Sequence, residues 1–353
     1  MDARAHEPGS AEPVRLVLSV PPRWRVPLLV LGFASLALGV AGGLVRLGAS
    51  IPVPAGAIAL HGALMVSGFL GTVIGLERAV ALGRWWAYAA PLASGLGGVC
   101  LLLGFVMPGF VLLAAAAAAL VAASAAVFAR QRSLEMATLL AGALAWLAGN
   151  LFLFAGQPAV PWWIAFFALT IGGERLELTR YLRRGPWVRW SFQVLAIAML
   201  FSPLAPRIMG AVLLLLALWL LAFDLARITV RQTKLPRYVA VCLLSGYAWL
   251  ALGGALLAAA VAYDAALHAI FVGFVFSMVF GHAPVILPAV LRVSLPYSGV
   301  LYLPLALLHA SLAIRVFVST SAGAWGNAAA IALFIVTAAA LVFSRASSVR
   351  PRR

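Results

Sequence analysis

Twelve apolar runs, each close to twenty residues or longer, follow one another with hardly a break, and nothing else constrains this chain as strongly. A helix needs roughly 20 apolar residues to cross the hydrocarbon core of a bilayer. The runs fall at 27–49, 56–82, 85–107, 109–129, 135–156, 158–181, 187–204, 207–226, 236–262, 266–291, 298–318 and 325–344. Two joins are tight and marked by proline, in "MPG" (107–109) and "SPLAPR" (202–207). Stretches such as "LLAAAAAALVAASAAVF" are too long and too rich in Ala and Leu for barrel strands, which run to roughly ten residues of alternating polarity. A helix satisfies its own backbone in lipid. The expected fold is therefore all-α, a polytopic membrane protein of twelve transmembrane helices. Charge agrees: 10% of the residues are charged, against about a quarter in a soluble globule.

The net charge of +16 invites a nucleic-acid reading, but its distribution does not fit one. With the N-terminus inside, 22 of the 25 basic residues fall at inner ends or in the tails, and only Arg46, Arg207 and Arg315 at outer ends. This asymmetry orients membrane proteins, and it can also hold anionic headgroups. The expectation is an inner (cytoplasmic) membrane of a bacterium or archaeon, both termini cytoplasmic, the bilayer as partner and no nucleic acid. Residues 1–24 are polar and Pro-rich and read as a disordered cytoplasmic tail, 25–345 as one transmembrane domain, and 346–353 as a basic tail. The first apolar run is long enough for a true span, so no cleavable signal is expected. Cys100 and Cys242 fall toward opposite membrane faces, and no disulfide is expected between them.

An internal period is visible. "GFLGTVIGLERAVALGRWW" (68–86) and "FALTIGGERLELTRYLRRGPW" (167–187) both end a span with I-G-x-E-R followed by Arg and Trp. Span 10 ends "FVFSMVFGHAPVILPAVLR", with Gly281-His282 at the corresponding place. Spans 2, 6 and 10 lie four helices apart, so the chain reads as three four-helix pseudo-repeats.

Spans 2 and 10 match a second time. His61 lies 23 residues before Arg84, and His268 lies 24 before Arg292, so both imidazoles fall at one depth in the outer leaflet. Of the five histidines, His6 is in the tail, while His61, His268, His282 and His309 are within spans. A lone buried histidine ordinarily just hydrogen-bonds a neighbouring helix. Ionisable residues inside a membrane are nonetheless candidates for function, and two neutral imidazoles facing each other can hold a haem iron from both sides. His268 and His282 are fourteen residues apart, which in an α-helix spans ~21 Å and returns to nearly the same face. His282 with His309 is then the option for a second haem. Small residues (Gly62, Ser67, Gly68, Gly71 and Gly75 on span 2; Ala269, Gly273, Ser277 and Gly281 on span 10) either leave room for a porphyrin or pack helices closely. Met65 and Met278 are fillers or weak ligand candidates. The inner layer of Glu77-Arg78, Glu174-Arg175, Glu177 and Asp224 reads as inter-helix ion pairs, with a proton or solute path as the functional alternative.

The pattern resembles the heme–copper oxidase subunit I superfamily, and within it the NnrS group of membrane haem proteins. The likeness is carried by twelve spans in four-helix thirds, by "HGALM" early in span 2, and by His268 at matching depth on span 10. It implies a b-type haem on His61 and His268, and an association with nitric oxide and a redox partner. Spans 6 and 7 hold no histidine, so the three-histidine copper centre of an oxidase has no ligands, and "LHGAL" stands where the NnrS group has an HxHE-like start. A reduced relative is implied, not a complete oxidase, and copper is not expected. Three functions remain in play: haem-based electron transfer or diatomic-gas binding, proton-coupled transport of a small solute without haem, and a non-catalytic assembly role in a respiratory complex.

Overall fold

Each of the twelve runs is a helix in the computed structural model, which describes residues 20–179, 182 and 185–348. In chain order the long helices are α1 (Pro22–Val45), α2 (His61–Leu82), α3 (Ala89–Leu102), α4 (Val106–Arg130), α5 (Leu134–Phe154) and α6 (Val160–Thr179). They continue with α7 (Pro186–Phe201), α8 (Pro206–Phe223), α9 (Lys234–Ala259), α10 (Tyr263–Leu291), α11 (Tyr302–Phe317) and α12 (Thr320–Ser348). Eleven helices among the described residues, counting short 3₁₀ turns with α3, α7 and α11, are long and apolar enough to cross a membrane. The remaining one, α6, has 20 residues but carries Glu174, Arg175 and Glu177 near its end. The protein is thus an all-helical, polytopic membrane protein.

Helix α1 begins at Pro22, a first-turn position where the missing amide proton costs no helical hydrogen bond. At the other end α12 continues to Ser348. Tail residues 1–19 and 349–353, and Arg180, Arg183 and Arg184, lie outside the described residues.

Helices α2, α6 and α10 meet at the centre of the bundle. On α6 every residue from Trp163 to Gly173 is buried. Phe69 of α2 stacks on Phe276 of α10 with ring centroids 6.2 Å apart, and Phe167 of α6 meets Phe271 of α10 edge-on at 6.0 Å. The outside of the bundle is apolar, with Val194 67%, Phe201 75% and Val336 64% exposed. A water-soluble surface does not carry a belt of this kind. Trp24, Trp85, Trp187 and Trp190 are exposed at the starts of α1, α3 and α7, as interfacial anchors are.

Two of the central helices share a local departure. Within α2, Leu64–Leu70 is π-helical, and within α10, Ala269–Phe276 is. Such segments are rare and collect at functional sites. Hydroxyls help satisfy carbonyls in both: Thr72 Oγ1 donates to Gly68 O (2.7 Å), Ser94 Oγ to Ser67 O, and Ser277 Oγ to Gly273 O (2.5 Å). The π turn is wider than an α turn, so the α-helical arithmetic that puts His268 and His282 on nearly one face does not apply across it.

Most of the small residues are used in packing. A methyl group on Gly68 would meet Ser35 Oγ at 2.7 Å, on Gly75 the backbone of Pro91 at 3.1 Å, and on Gly281 Cys242 Cβ at 2.9 Å. Gly62 is the one glycine of the α2 set that lines a cavity. Cys100 and Cys242 are both free thiols.

Candidate functional site

Two cavities of about 500 Å³ each lie along α2 and α10. This size is within the range of ligand sites. The first is lined by His61 and His268 together with Arg46, Met65, Trp163 and Arg315. The second is lined by Glu77, Thr170, Glu174 and His282 in an otherwise apolar wall. Leu70, Phe276 and Ile331 border both, so the layer between the cavities is thin and apolar.

Local structure fixes the state of the imidazoles. His61 Nδ1 is 2.6 Å from the carbonyl of Gly39 on α1. A carbonyl only accepts, so Nδ1 carries the proton and Nε2 is left as a free lone pair. His268 Nδ1 donates to the Asp264 carbonyl one turn back (2.8 Å), with Asp264 Oδ1 at 3.3 Å. His282 Nδ1 donates in the same way to Met278 O (2.8 Å). Metal-binding histidines have this arrangement: the far ring N–H held by a carbonyl or carboxylate, the other nitrogen presented.

His309 is different. Its Nδ1 accepts from Trp249 Nε1 (2.9 Å), which places the ring proton on Nε2, and that atom is buried without a partner among the described residues. It lines neither cavity. The four candidate histidines therefore divide into a pair at one cavity, His61 and His268; a single imidazole at the other, His282; and His309 apart from all three. The expected pairing of His282 with His309 does not find the two at a common cavity.

The histidine cavity also gathers charge that sequence reasoning assigned only to topology. Arg315 of α11 lies 3.2 Å from Asp264, and its Nε is buried without a partner among the described residues. Arg46, at the end of α1, lines the same cavity. Their common feature in the sequence is that they are two of the three basic residues expected at outer ends, and no spacing rule links them to the histidines.

The inner-layer charges behave largely as structural pairs. Arg175 makes two hydrogen bonds to Asp224, from Nε (2.7 Å) and Nη2 (2.9 Å), while the Tyr247 hydroxyl and the Ala226 amide complete the carboxylate's shell. Asp224 is fully buried, so this fork ties α6 to α8 and α9. Arg78 approaches Glu174 at 3.9 Å across α2 and α6. Glu77 is half-buried, lines the second cavity beside Glu174 and has no hydrogen-bond partner among the described residues. Among these residues no group of three or more His, Cys, Asp or Glu comes together as a metal cage.

A polytopic helical membrane protein with a two-histidine cavity between its second and tenth helices is the class these features define. The chain belongs to the family described as Domain of unknown function (DUF8744), whose model matches residues 25–343. No curated protein and no solved structure matches it.

Proposed function

We propose that this protein binds a b-type haem in the histidine cavity, with His61 and His268 as axial ligands, and that it serves electron transfer or the binding of a diatomic gas such as nitric oxide. One observation carries the reading: two imidazoles from different helices line one cavity, each with Nδ1–H tethered to a backbone carbonyl and Nε2 free. The remaining residues fit the group. Trp163, Phe271 and Phe276 offer apolar surface for a flat ring, and Arg46 and Arg315 offer cations for its carboxylates. When bound, haem supplies a one-electron centre and, if an axial position opens, a place for a gas. The chain's own part is to orient both imidazoles through their Nδ1–H bonds and to enclose the group. The resemblance to the NnrS group points the same way.

The finer topology belongs to the same proposal. Both termini face the cytoplasm of a bacterial or archaeal membrane, as the Arg and Lys distribution favours. Helices α2, α6 and α10 are equivalent members of three pseudo-repeats, supported by their central meeting and by the π segments of α2 and α10.

The test is haem content in purified His61→Ala, His268→Ala and His309→Ala proteins. The first two should lose most of the haem and the third should keep it. Full retention in both of the first two overturns the ligand assignment. A second reading, proton-coupled transport, is favoured by the stacking of two cavities across a thin apolar layer. It predicts a colourless protein that moves protons with a solute in liposomes.

A further inference from the structure

The second cavity has features the haem reading does not use. Its wall is almost wholly apolar, built from α1, α2, α6, α10 and α12. Its rim includes Phe33 of α1 and Ile335 and Phe343 of α12, which are 37%, 37% and 72% exposed on the lipid-facing side of the bundle. An entrance framed by exposed apolar side chains opens to hydrocarbon rather than to water. A ligand that enters there is dissolved in the membrane.

The polar groups at the cavity narrow the ligand further. Glu77 has no hydrogen-bond partner among the described residues. Among the described residues Glu174, whose side chain is 37% exposed, pairs only with the distant Arg78, at 3.9 Å. His282 Nδ1–H donates to Met278 O, which leaves Nε2 as an acceptor. All three present acceptor atoms, and the Thr170 hydroxyl, also in the lining, can donate or accept. Acceptor groups facing an apolar cavity are complemented by a ligand that brings hydroxyl or amine donors on a flat or apolar body. Phe280, which lines the cavity, stacks on Phe334 at 3.9 Å and offers an aromatic wall.

We propose that this cavity binds a membrane-dissolved hydroquinone, its ring hydroxyls donating to Glu77 and His282 and its apolar tail lying toward the gap between α1 and α12. With Glu77 ionised and His282 Nε2 unprotonated, the two acceptors favour a hydroquinone, which brings two O–H donors, over the oxidised quinone, which brings only acceptors. Binding alone is proposed, and it does not depend on what occupies the histidine cavity.

The test uses the full chain reconstituted in lipid nanodiscs and titrated calorimetrically with decylubiquinol under argon, with empty nanodiscs as baseline. Saturable binding at about one per chain is expected, with decylubiquinone at least tenfold weaker. Glu77→Gln and His282→Phe should each weaken decylubiquinol binding at least tenfold. Ile335→Trp at the rim should also weaken it while leaving the polar groups intact, so a folding defect in one variant does not decide the matter. His61→Ala should leave binding unchanged, and the two proposals can therefore fail separately. Equal affinity for the two redox forms, indifference to Glu77→Gln and His282→Phe, or displacement by phosphatidylethanolamine each overturns the proposal.

Discussion

Gly43 and Gly42 are neighbours on α1, yet a single added methyl group should do different things at each. On Gly43 the new Cβ would lie 2.9 Å from Cε1 and 3.0 Å from Nδ1 of His61. Carbon atoms settle at ~3.5–4.0 Å, so the ring must retreat by roughly 0.6–1 Å. It can do so, because the clash is with the end of a side chain and not with backbone. The retreat breaks the 2.6 Å bond from Nδ1 to Gly39 O that sets the tautomer and the angle of the ring. Losing such an outer contact typically costs ~10–100-fold in metal affinity, while the hydrogen bond itself contributes only about 1 kcal/mol to stability. Gly43→Ala should therefore fold, insert and elute as the parent does, but bind haemin ~10–100-fold more weakly in an optical titration. Parent-like haem affinity in a folded Gly43→Ala protein would refute the reasoning. At Gly42 the added methyl would instead fall on the backbone carbonyl of Ala57, which cannot rotate away, so Gly42→Ala should lower the yield of folded protein before any ligand question arises.

Other outcomes follow from the same geometry. Arg175→Met leaves Asp224 fully buried without its cation; a loss of about 3–5 kcal/mol is expected for breaking such a pair, read as a lower thermal midpoint in detergent. His309→Ala should cost about 1 kcal/mol through the lost Trp249 bond, with unchanged haem content by pyridine haemochrome. Arg315→Met removes a positive charge from the histidine cavity, which favours the oxidised, more positive iron. Its haem midpoint potential, measured by redox titration, should fall, and a rise would contradict the placement of Arg315 beside the group.

The helices were legible because hydropathy over twenty residues is a strong signal and lipid leaves the backbone few alternatives. Counting His61 and His268 back from the basic ends of their spans gave them one depth, and the structure adds that both line one cavity. What stayed hidden depends on contacts between distant helices. The π segments have no periodic signature, and they undo the simple angular relation of His268 to His282. Gly68, Gly75 and Gly281 looked alike as porphyrin space or as packing until their neighbours, Ser35, Pro91 and Cys242, were known. Arg46 and Arg315 read as topology markers, and only folding brings them beside the histidines. His309 sat at a plausible depth, but Trp249 had already taken its Nδ1.

The most direct test of the haem assignment is a reduced-minus-oxidised optical spectrum of the purified full chain, expressed with ample haem supply and counted by pyridine haemochrome. A b-type spectrum at about one haem per chain, lost in His61→Ala and His268→Ala, is predicted for bis-histidine ligation. A colourless parent protein that takes up no haemin would contradict it and leave the two cavities to the transport reading.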